Sequence, residues 1–171
     1  YIVRDPRNVV TSFAHHYQID IDEATNALIN EKFWNYKNDK VPKTFLSSWS
    51  INYNSWKQFN DKILFIKYED LIKNKRRVLI KVFKFFENLG VKIDLDIIKL
   101  NKIIKTTEFQ KMKDLEVKQV FRESMTDNET GKKRPFFNLG PKNDWRKILS
   151  DENREKIEKA FKDEMLELGY L

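Results

Sequence analysis

The chain opens with the stretch YIVRDPRNVVTSF, in which a short apolar run is followed at once by the residues that begin a helix. The run Tyr1–Val3 is typical of a buried β-strand, whereas Asp5 followed by Pro6 is typical of a helix N-cap and the first helical residue. A strand that gives way to a helix within two residues is characteristic of α/β proteins with parallel strands. We therefore expect an α/β fold.

The same turn predicts a site for an anion. Arg4 is the last residue of the predicted strand, and Ser12 lies two turns into the predicted helix. The start of a helix presents free backbone N–H groups and the positive end of the helix dipole. Ser12 is expected on the polar face, because the apolar residues share the other face, namely Val9, Val10, Phe13, Ala14 and Tyr17. An arginine and a serine at this position suit a phosphate.

A second continuous apolar run, from Ile63 to Ile66, predicts another buried parallel strand that leads into a helix. That helix, in the stretch EDLIKNKRRVLIKVFKFFENLG, is expected to end at Gly90, and a terminal helix is expected to begin at Ser150. Other helices are predicted in DEATNALINEKFWNY and TFLSSWSINYNSWKQF. The stretch KNDKVPK and residues 115–137 are predicted to form loops.

Two strands are too few for about five helices, because a two-stranded parallel sheet cannot cover the helices on both of its faces. We therefore expect a three-layer arrangement, a parallel sheet flanked by helices, that is incomplete in this chain. Within it, Trp49, Tyr53 and Trp56 lie on one side of a helix and are expected in the core rather than around a cofactor. Trp145 is expected to anchor the last loop on the core.

Composition restricts the function. The 33 Lys and Arg against 26 Asp and Glu give a formal charge of +7, which favours anionic ligands. Basic and acidic residues alternate along the chain, which argues against a nucleic-acid surface. The absence of cysteine excludes thiolate metal sites, cysteine nucleophiles and disulfides. Because His15 and His16 are adjacent and point apart on a helix, they do not predict a metal site. No apolar run has the length of a membrane span, so we expect a soluble chain. We place the protein in the cytoplasm.

Four motifs occur in a fixed order along the chain, namely YIVRDPRNVVTSF, ILFIKYEDL, TEFQKM and FFNLGPKNDW. Together they resemble the PAPS-dependent sulfotransferases, of the cytosolic type and their bacterial relatives. The resemblance implies a P-loop-like α/β fold, of which residues 1–171 form the C-terminal part of a single domain. The N-terminal strand and the loop that binds the phosphosulfate are then missing from this chain. The abundance of Asn and Lys favours a low-GC bacterial source.

Enzymes of this family transfer a sulfuryl group, without a metal, from 3′-phosphoadenosine-5′-phosphosulfate (PAPS) to a hydroxyl or amine and release adenosine 3′,5′-bisphosphate. The resemblance implies that Arg4 and Ser12 hold the 3′-phosphate of the donor. It places Tyr68, Thr107 and Phe109 at the adenine, where the ring of Phe109 can stack. The acceptor is expected to be a small molecule or a glycan, and neither a nucleic acid nor a membrane span is expected. The oligomeric state stays open.

The chain departs from the family pattern at the last motif. Asn138 stands where the family has an arginine that binds the 3′-phosphate, and Gly140 is retained. The resemblance places both residues at the donor, and Gly140 is expected to offer it a backbone N–H at close approach. Lys142 or Arg134 is expected to supply the missing charge. The catalytic lysine and histidine of the family are expected upstream, so no catalytic residue is assigned here, although Ser12 is expected to assist that lysine. The alternative function is a noncatalytic remnant that binds a nucleotide or phosphate.

Overall fold

A computed structural model of the chain describes residues 1–35, 43–94, 96–118, 125–127 and 130–171. Helices dominate these residues, and every strand is two residues long. In chain order the elements are β1 (Ile2–Val3), α1 (Pro6–Tyr17), α2 (Ile21–Ile29), β2 (Trp34–Asn35), β3 (Thr44–Phe45), α3 (Trp49–Lys57), β4 (Ile66–Lys67), α4 (Tyr68–Lys73), α5 (Lys75–Asn88), α6 (Ile97–Thr106), α7 (Phe109–Val117), β5 (Met125–Thr126), β6 (Lys133–Arg134), α8 (Asp151–Ala160) and α9 (Lys162–Glu167). Short 3-10 helices lie at Asn60–Lys62, Gly140–Lys142 and Trp145–Lys147.

The two predicted parallel strands pair with each other. Ile2 lies opposite Ile66 and Val3 opposite Lys67, in parallel register. The strands are shorter than the apolar runs predict, and Ile2 is 57 % exposed, so the expectation of two fully buried strands is wrong. Among the described residues, β1 and β4 have no other strand beside them, and a pair without further neighbours leaves side chains uncovered. The wider three-layer sheet stays a prediction.

Helix α1 begins as its sequence predicts. The side chain of Asp5 accepts a hydrogen bond from the backbone N–H of Arg7, and Pro6 is the first helical residue. The helix ends at Gln18, whose φ of 58° is left-handed. The N-cap is therefore confirmed, and local side-chain chemistry is sufficient to explain it.

The stretch after Tyr68 forms two helices rather than one. The chain breaks at Asn74, whose side chain accepts a hydrogen bond from the N–H of Arg77 and caps α5. Asparagine competes for backbone hydrogen bonds in this way and so favours helix starts over helix interiors. The predicted end at Gly90 is confirmed, with a φ of 88° that suits glycine.

The terminal helix is divided in the same way. Ser150 caps α8 by accepting a hydrogen bond from the N–H of Asn153, as predicted. Phe161 then interrupts the helix with a φ of −122°, and α9 follows. Phe161 is buried, at 2 % exposure, so both helices keep one apolar face in common.

A short hairpin replaces parts of two predicted helices. Trp34 lies opposite Phe45 and Asn35 opposite Thr44 in an antiparallel pair. The rings of Trp34 and Phe45 lie 4.9 Å apart, and cross-strand aromatic pairs of this kind stabilise strands. Residues 36–42, which include most of the predicted KNDKVPK loop, lie outside the described residues, as do residues 119–124 and 128–129 of the predicted 115–137 loop.

The chain divides into two compact units. The first unit comprises Tyr1–Val3 and Leu64–Asn143, and the second comprises Arg4–Ile63 and Asp144–Leu171. In the second unit, α1 packs against α2 and α8. The buried apolar residues that the structure describes in this unit are Val10, Ala14, Ala24, Leu28, Trp49, Tyr53, Ile157, Phe161 and Met165. Trp49 and Tyr53 are thus in the core as predicted, whereas Trp56 is 43 % exposed. Among the described residues of the first unit, Val3, Val78 and Leu100 are buried and apolar.

Polar contacts join α3 to α9 within the second unit. Ser50 and Asn54 donate hydrogen bonds to the carboxylate of Glu164 at 2.7 and 2.6 Å. Lys57 pairs with Glu167 at 2.8 Å. Burial alone would raise the pKa of Glu164, but the hydrogen bonds to its carboxylate and the charge of Lys57 lower it below its ordinary value. The charged form of Glu164 is therefore the one that this interface stabilises.

Candidate functional site

Arg4 and Ser12 belong to the second unit, with Arg4 directly before the N-cap of α1 and Ser12 in the middle of that helix. The side chain of Arg4 is half-buried, and Ser12 is exposed. The buried residues of α1 are Pro6, Arg7, Val10, Thr11 and Ala14, so Ser12 lies on the solvent face of the helix. Both residues that the sequence predicts for a phosphate carry hydrogen-bond donors, one before the helix and one on its solvent face.

The backbone N–H groups of that helix start are already used. The N–H of Arg7 donates to the carboxylate of Asp5 at 2.9 Å, and those of Asn8 and Val9 donate to its carbonyl at 2.9 and 3.0 Å. Pro6 has no N–H. The expectation that the turn offers free N–H groups to an anion is therefore wrong, because Asp5 takes them. A phosphate at this place depends on side chains.

Arg7 is buried, at 6 % exposure, between two carboxylates. Its guanidinium lies 2.7 Å from a carboxylate oxygen of Asp5 and 2.6 Å from one of Glu158, and it donates to the carbonyl of Tyr170 at 2.7 Å. Burial alone would lower the pKa of Arg7, but its hydrogen bonds and charge pairing with Asp5 and Glu158 raise it. Arg7 therefore stays charged and neutralises the acid nearest to the predicted phosphate site.

Trp145 also contacts Arg7 and its neighbour Asn8. The guanidinium carbon of Arg7 lies 4.2 Å from the centre of the Trp145 ring, within the range of a cation–π contact. The backbone N–H of Trp145 donates to the side chain of Asn8 at 3.0 Å. This is the anchoring contact that the sequence predicts for Trp145.

Sequence reasoning missed Arg7, although a signal for it was present. Arg7 precedes Val10 by three residues and Ala14 by seven, so it lies on the buried face of α1. Charged residues are almost never fully buried unless they are paired. An arginine in an apolar helical stripe therefore predicts an acidic partner from elsewhere in the chain.

The remaining candidate residues belong to the first unit. Tyr68 is the first residue of α4, directly after β4, and is half-buried. Thr107 ends α6, and Phe109 begins α7. The amino group of Lys75 donates to the carbonyl oxygen of Thr107 at 2.8 Å and to its hydroxyl at 3.3 Å. Lys75, which the sequence did not single out, thus orients a residue predicted at the adenine.

Phe109 and Gly140 are packed against each other. Gly140 has a φ of 53°, and a Cβ atom at this position would lie 2.1 Å from a ring atom of Phe109. The Phe137 ring meets the Phe109 ring edge to face at 5.8 Å. Gly140 thus approaches an aromatic ring closely, and only glycine fits there, whereas its approach to a phosphate stays a prediction.

Asn138 is exposed between Phe137 and Gly140. Of the two residues predicted to supply the missing positive charge, Lys142 is exposed at the end of a 3-10 helix. Arg134 lies 3.9 Å from a carboxylate oxygen of Asp127. Which of them replaces the arginine of the family stays a prediction.

Two further properties concern the described residues only. Within them, no three side chains of His, Asp or Glu are arranged to share a metal ion. None of the helices there combines the length and the apolar character that crossing a membrane requires.

Comparison with known proteins agrees with the motifs. The family model described as a sulfotransferase domain matches residues 1–169. An amine sulfotransferase of Oryctolagus cuniculus is 30 % identical over 96 % of this chain and 53 % of its own length. Sulfotransferase 1E1 of Rattus norvegicus is 28 % identical over 96 % of this chain and 54 % of its own length. The chain thus spans about half the length of these curated relatives.

A solved structure shows the same fold. Mouse sulfotransferase SULT7A1, complexed with PAP, superimposes with a TM-score of 0.67 over 96 % of this chain and 58 % of its own, at 21 % identity. The relatives named are mammalian, so the bacterial source stays a prediction. Since the family model covers nearly the whole chain, the protein belongs to the sulfotransferase domain family, whose named members are enzymes.

Proposed function

We propose that this chain binds the sulfuryl donor PAPS in a sulfotransferase that acts on a hydroxyl or amine. The observation that carries the proposal is that Arg4, which the family motif assigns to the 3′-phosphate together with Ser12, directly precedes the N-cap of α1, while Ser12 lies on the solvent face of that helix. When bound, PAPS supplies the sulfuryl group and a bisphosphate leaving group. The residues of this chain bind and orient it.

Arg4 and Ser12 have the chemistry that a phosphate requires. A guanidinium offers several N–H donors in a plane and binds phosphate oxygens in pairs, and a serine hydroxyl adds one more donor. The nearby Asp5 carboxylate is paired with Arg7 at 2.7 Å, so its charge does not oppose an incoming phosphate. A nucleotide without a 3′-phosphate leaves Arg4 and Ser12 without this ligand, and we expect it to bind more weakly.

The first unit supports the adenine part of the proposal. Phe109 carries an aromatic ring that can stack on a purine, and the hydroxyls of Tyr68 and Thr107 are groups that can hydrogen-bond to its edge. Thr107 is fixed by Lys75 from one side and by its own hydrogen bond to the Ile103 carbonyl, at 2.7 Å. The residues present therefore fit an adenine nucleotide.

Binding of adenosine 3′,5′-bisphosphate tests the proposal directly. We expect the natural gene product to bind this nucleotide more tightly than ATP or AMP, as measured by isothermal titration calorimetry. Arg4→Ala should weaken binding by about 10- to 100-fold, the loss of hydrogen bonds to a charged group, and Ser12→Ala by about 5-fold. Arg154→Ala and Ser55→Ala, in the same unit and outside the proposed site, are the matched controls.

Equal binding of the three nucleotides, or equal effects of the Arg4 and Arg154 variants, would contradict the proposal. The noncatalytic alternative predicts the same binding without transfer. Incubation with PAPS and a panel of hydroxyl and amine acceptors separates the two, because a sulfated product forms only if the protein is catalytic.

A further inference from the structure

The carboxylate of Glu116 binds the backbone of residues 136 and 137, in the same unit. Its carboxylate accepts a hydrogen bond from the N–H of Phe137 at 3.0 Å through one oxygen and from the N–H of Phe136 through the other. The donors lie 20 and 21 residues further along the chain. A half-buried carboxylate that accepts from two successive N–H groups binds them in one orientation, and charged acceptors bind more strongly than neutral ones.

The face of α7 that carries Glu116 also contacts Gly140, at the other end of residues 136–140. Phe109 precedes Glu116 by seven residues, or two helical turns, so the two side chains share one face. The Phe109 ring packs against Phe137 and leaves no room for a Cβ at Gly140. Residues 136–140 are therefore held by Glu116 at their start and by Phe109 at their end, with Asn138 exposed between them.

We infer that Glu116 is a positioning residue, which rests on the proposed function. It touches backbone rather than nucleotide, and it orders residues 136–140 before the nucleotide binds. Without it, the segment must lose its freedom on binding, and that entropic cost lowers affinity. The segment in question carries Asn138 and Gly140, both assigned to donor binding.

The sign of the expected effect separates positioning from charge. Removing an acidic residue from a protein of net charge +7 should, through electrostatics alone, improve the binding of an anionic nucleotide. Loss of positioning should weaken it. We expect Glu116→Ala to weaken binding of adenosine 3′,5′-bisphosphate by about 10-fold, the loss of a charge-assisted hydrogen bond.

Hydrogen exchange and calorimetry on the natural protein test this inference together. In Glu116→Ala the amides of Phe136 and Phe137 should exchange at least about 10-fold faster, and the nucleotide should bind more weakly. Glu116→Gln keeps one acceptor oxygen and should recover part of both losses. Glu87→Ala removes an exposed carboxylate from the same unit, so it reports the effect of charge alone.

Each other outcome overturns a different statement. Unchanged exchange at Phe136 and Phe137 would show that Glu116 does not hold the segment. Faster exchange with unchanged or tighter nucleotide binding would mean that the contact is structural only. If the unsubstituted protein fails to bind the nucleotide, the proposed function is wrong, and the positioning role falls with it, whereas the exchange data still decide whether Glu116 orders the segment.

Discussion

The start of α1 and residues 136–140 are both held by side chains that bind backbone groups, but the two regions differ in burial. At the start of α1, Asp5 and Arg7 are both buried, and Arg7 binds Glu158 and Tyr170, which lie 151 and 163 residues away in the chain. Residues 136–140 depend on Glu116, a half-buried residue of the preceding helix. Segments with few buried contacts open most easily, so we expect the helix start to be the more rigid region.

The largest expected effect comes from removing the buried cation at the start of α1. Arg7→Ala leaves the carboxylates of Asp5 and Glu158 without their cation, and removing one partner of a buried ion pair costs about 3–5 kcal/mol of unfolding free energy. Arg7→Lys keeps the charge but loses the planar fork, so it should lie between Ala and the native protein. Urea unfolding followed by tryptophan fluorescence measures both.

Arg154→Ala is the control for this prediction, because the ion-pair partners of Arg154 among the described residues, Asp151 and Glu155, are both exposed. Such surface pairs contribute about 0–1 kcal/mol. A loss in Arg7→Ala no larger than that in Arg154→Ala would show that the two regions do not differ in the way that burial predicts.

An intermediate effect is expected in the other region. Gly140→Ala places a Cβ against the Phe109 ring in a left-handed backbone, whereas Gly90→Ala meets the same backbone cost with no atom within 4 Å. The left-handed backbone costs about 1–2 kcal/mol in both variants, and the clash adds about 1–3 kcal/mol in Gly140→Ala only. Thermal unfolding of the two variants gives the difference. Equal losses would mean that Phe109 moves aside without cost.

The smallest effect concerns a single neutral contact at the helix start. Asn8→Ala removes the acceptor of the Trp145 N–H and should cost about 1 kcal/mol. Because alanine also favours helices over asparagine, Asn88→Ala at the exposed end of α5 serves as the control for propensity. We expect faster exchange of the Trp145 amide in Asn8→Ala alone. No change at that amide would indicate that the contacts of the Trp145 ring with Arg7 and Arg146 are sufficient to hold it.

Local features were predicted well. The N-cap at Asp5, the cap at Ser150 and the end at Gly90 each depend on residues within one helical turn, so the sequence contains all the information needed. The order of the motifs identified the family, which the family model then showed. Parallel pairing of the two apolar runs was also correct, because parallel strands need a long crossover connection, and the stretch between the two runs was predicted to contain helices.

Other features depend on partners distant in sequence. Trp34 and Phe45 were assigned to helices, and their pairing as strands required each to lie opposite the other. The breaks at Asn74 and Phe161 followed from capping and burial that competed with helical periodicity. Periodicity reports which face is apolar but not where one helix ends and the next begins.

The order of the motifs in the sequence was sufficient to identify the family. Short-range backbone preferences were sufficient to predict the helix that follows Arg4 and contains Ser12, and the close approach of the backbone at Gly140. Only the tertiary structure decided that Arg7 is buried beside Asp5, where it also binds Glu158 and the carbonyl of Tyr170 and neutralises the helix start. The reason is physical. A charged group can be buried only where a distant part of the chain supplies its counter-charge, and sequence patterns over one or two turns do not contain that partner.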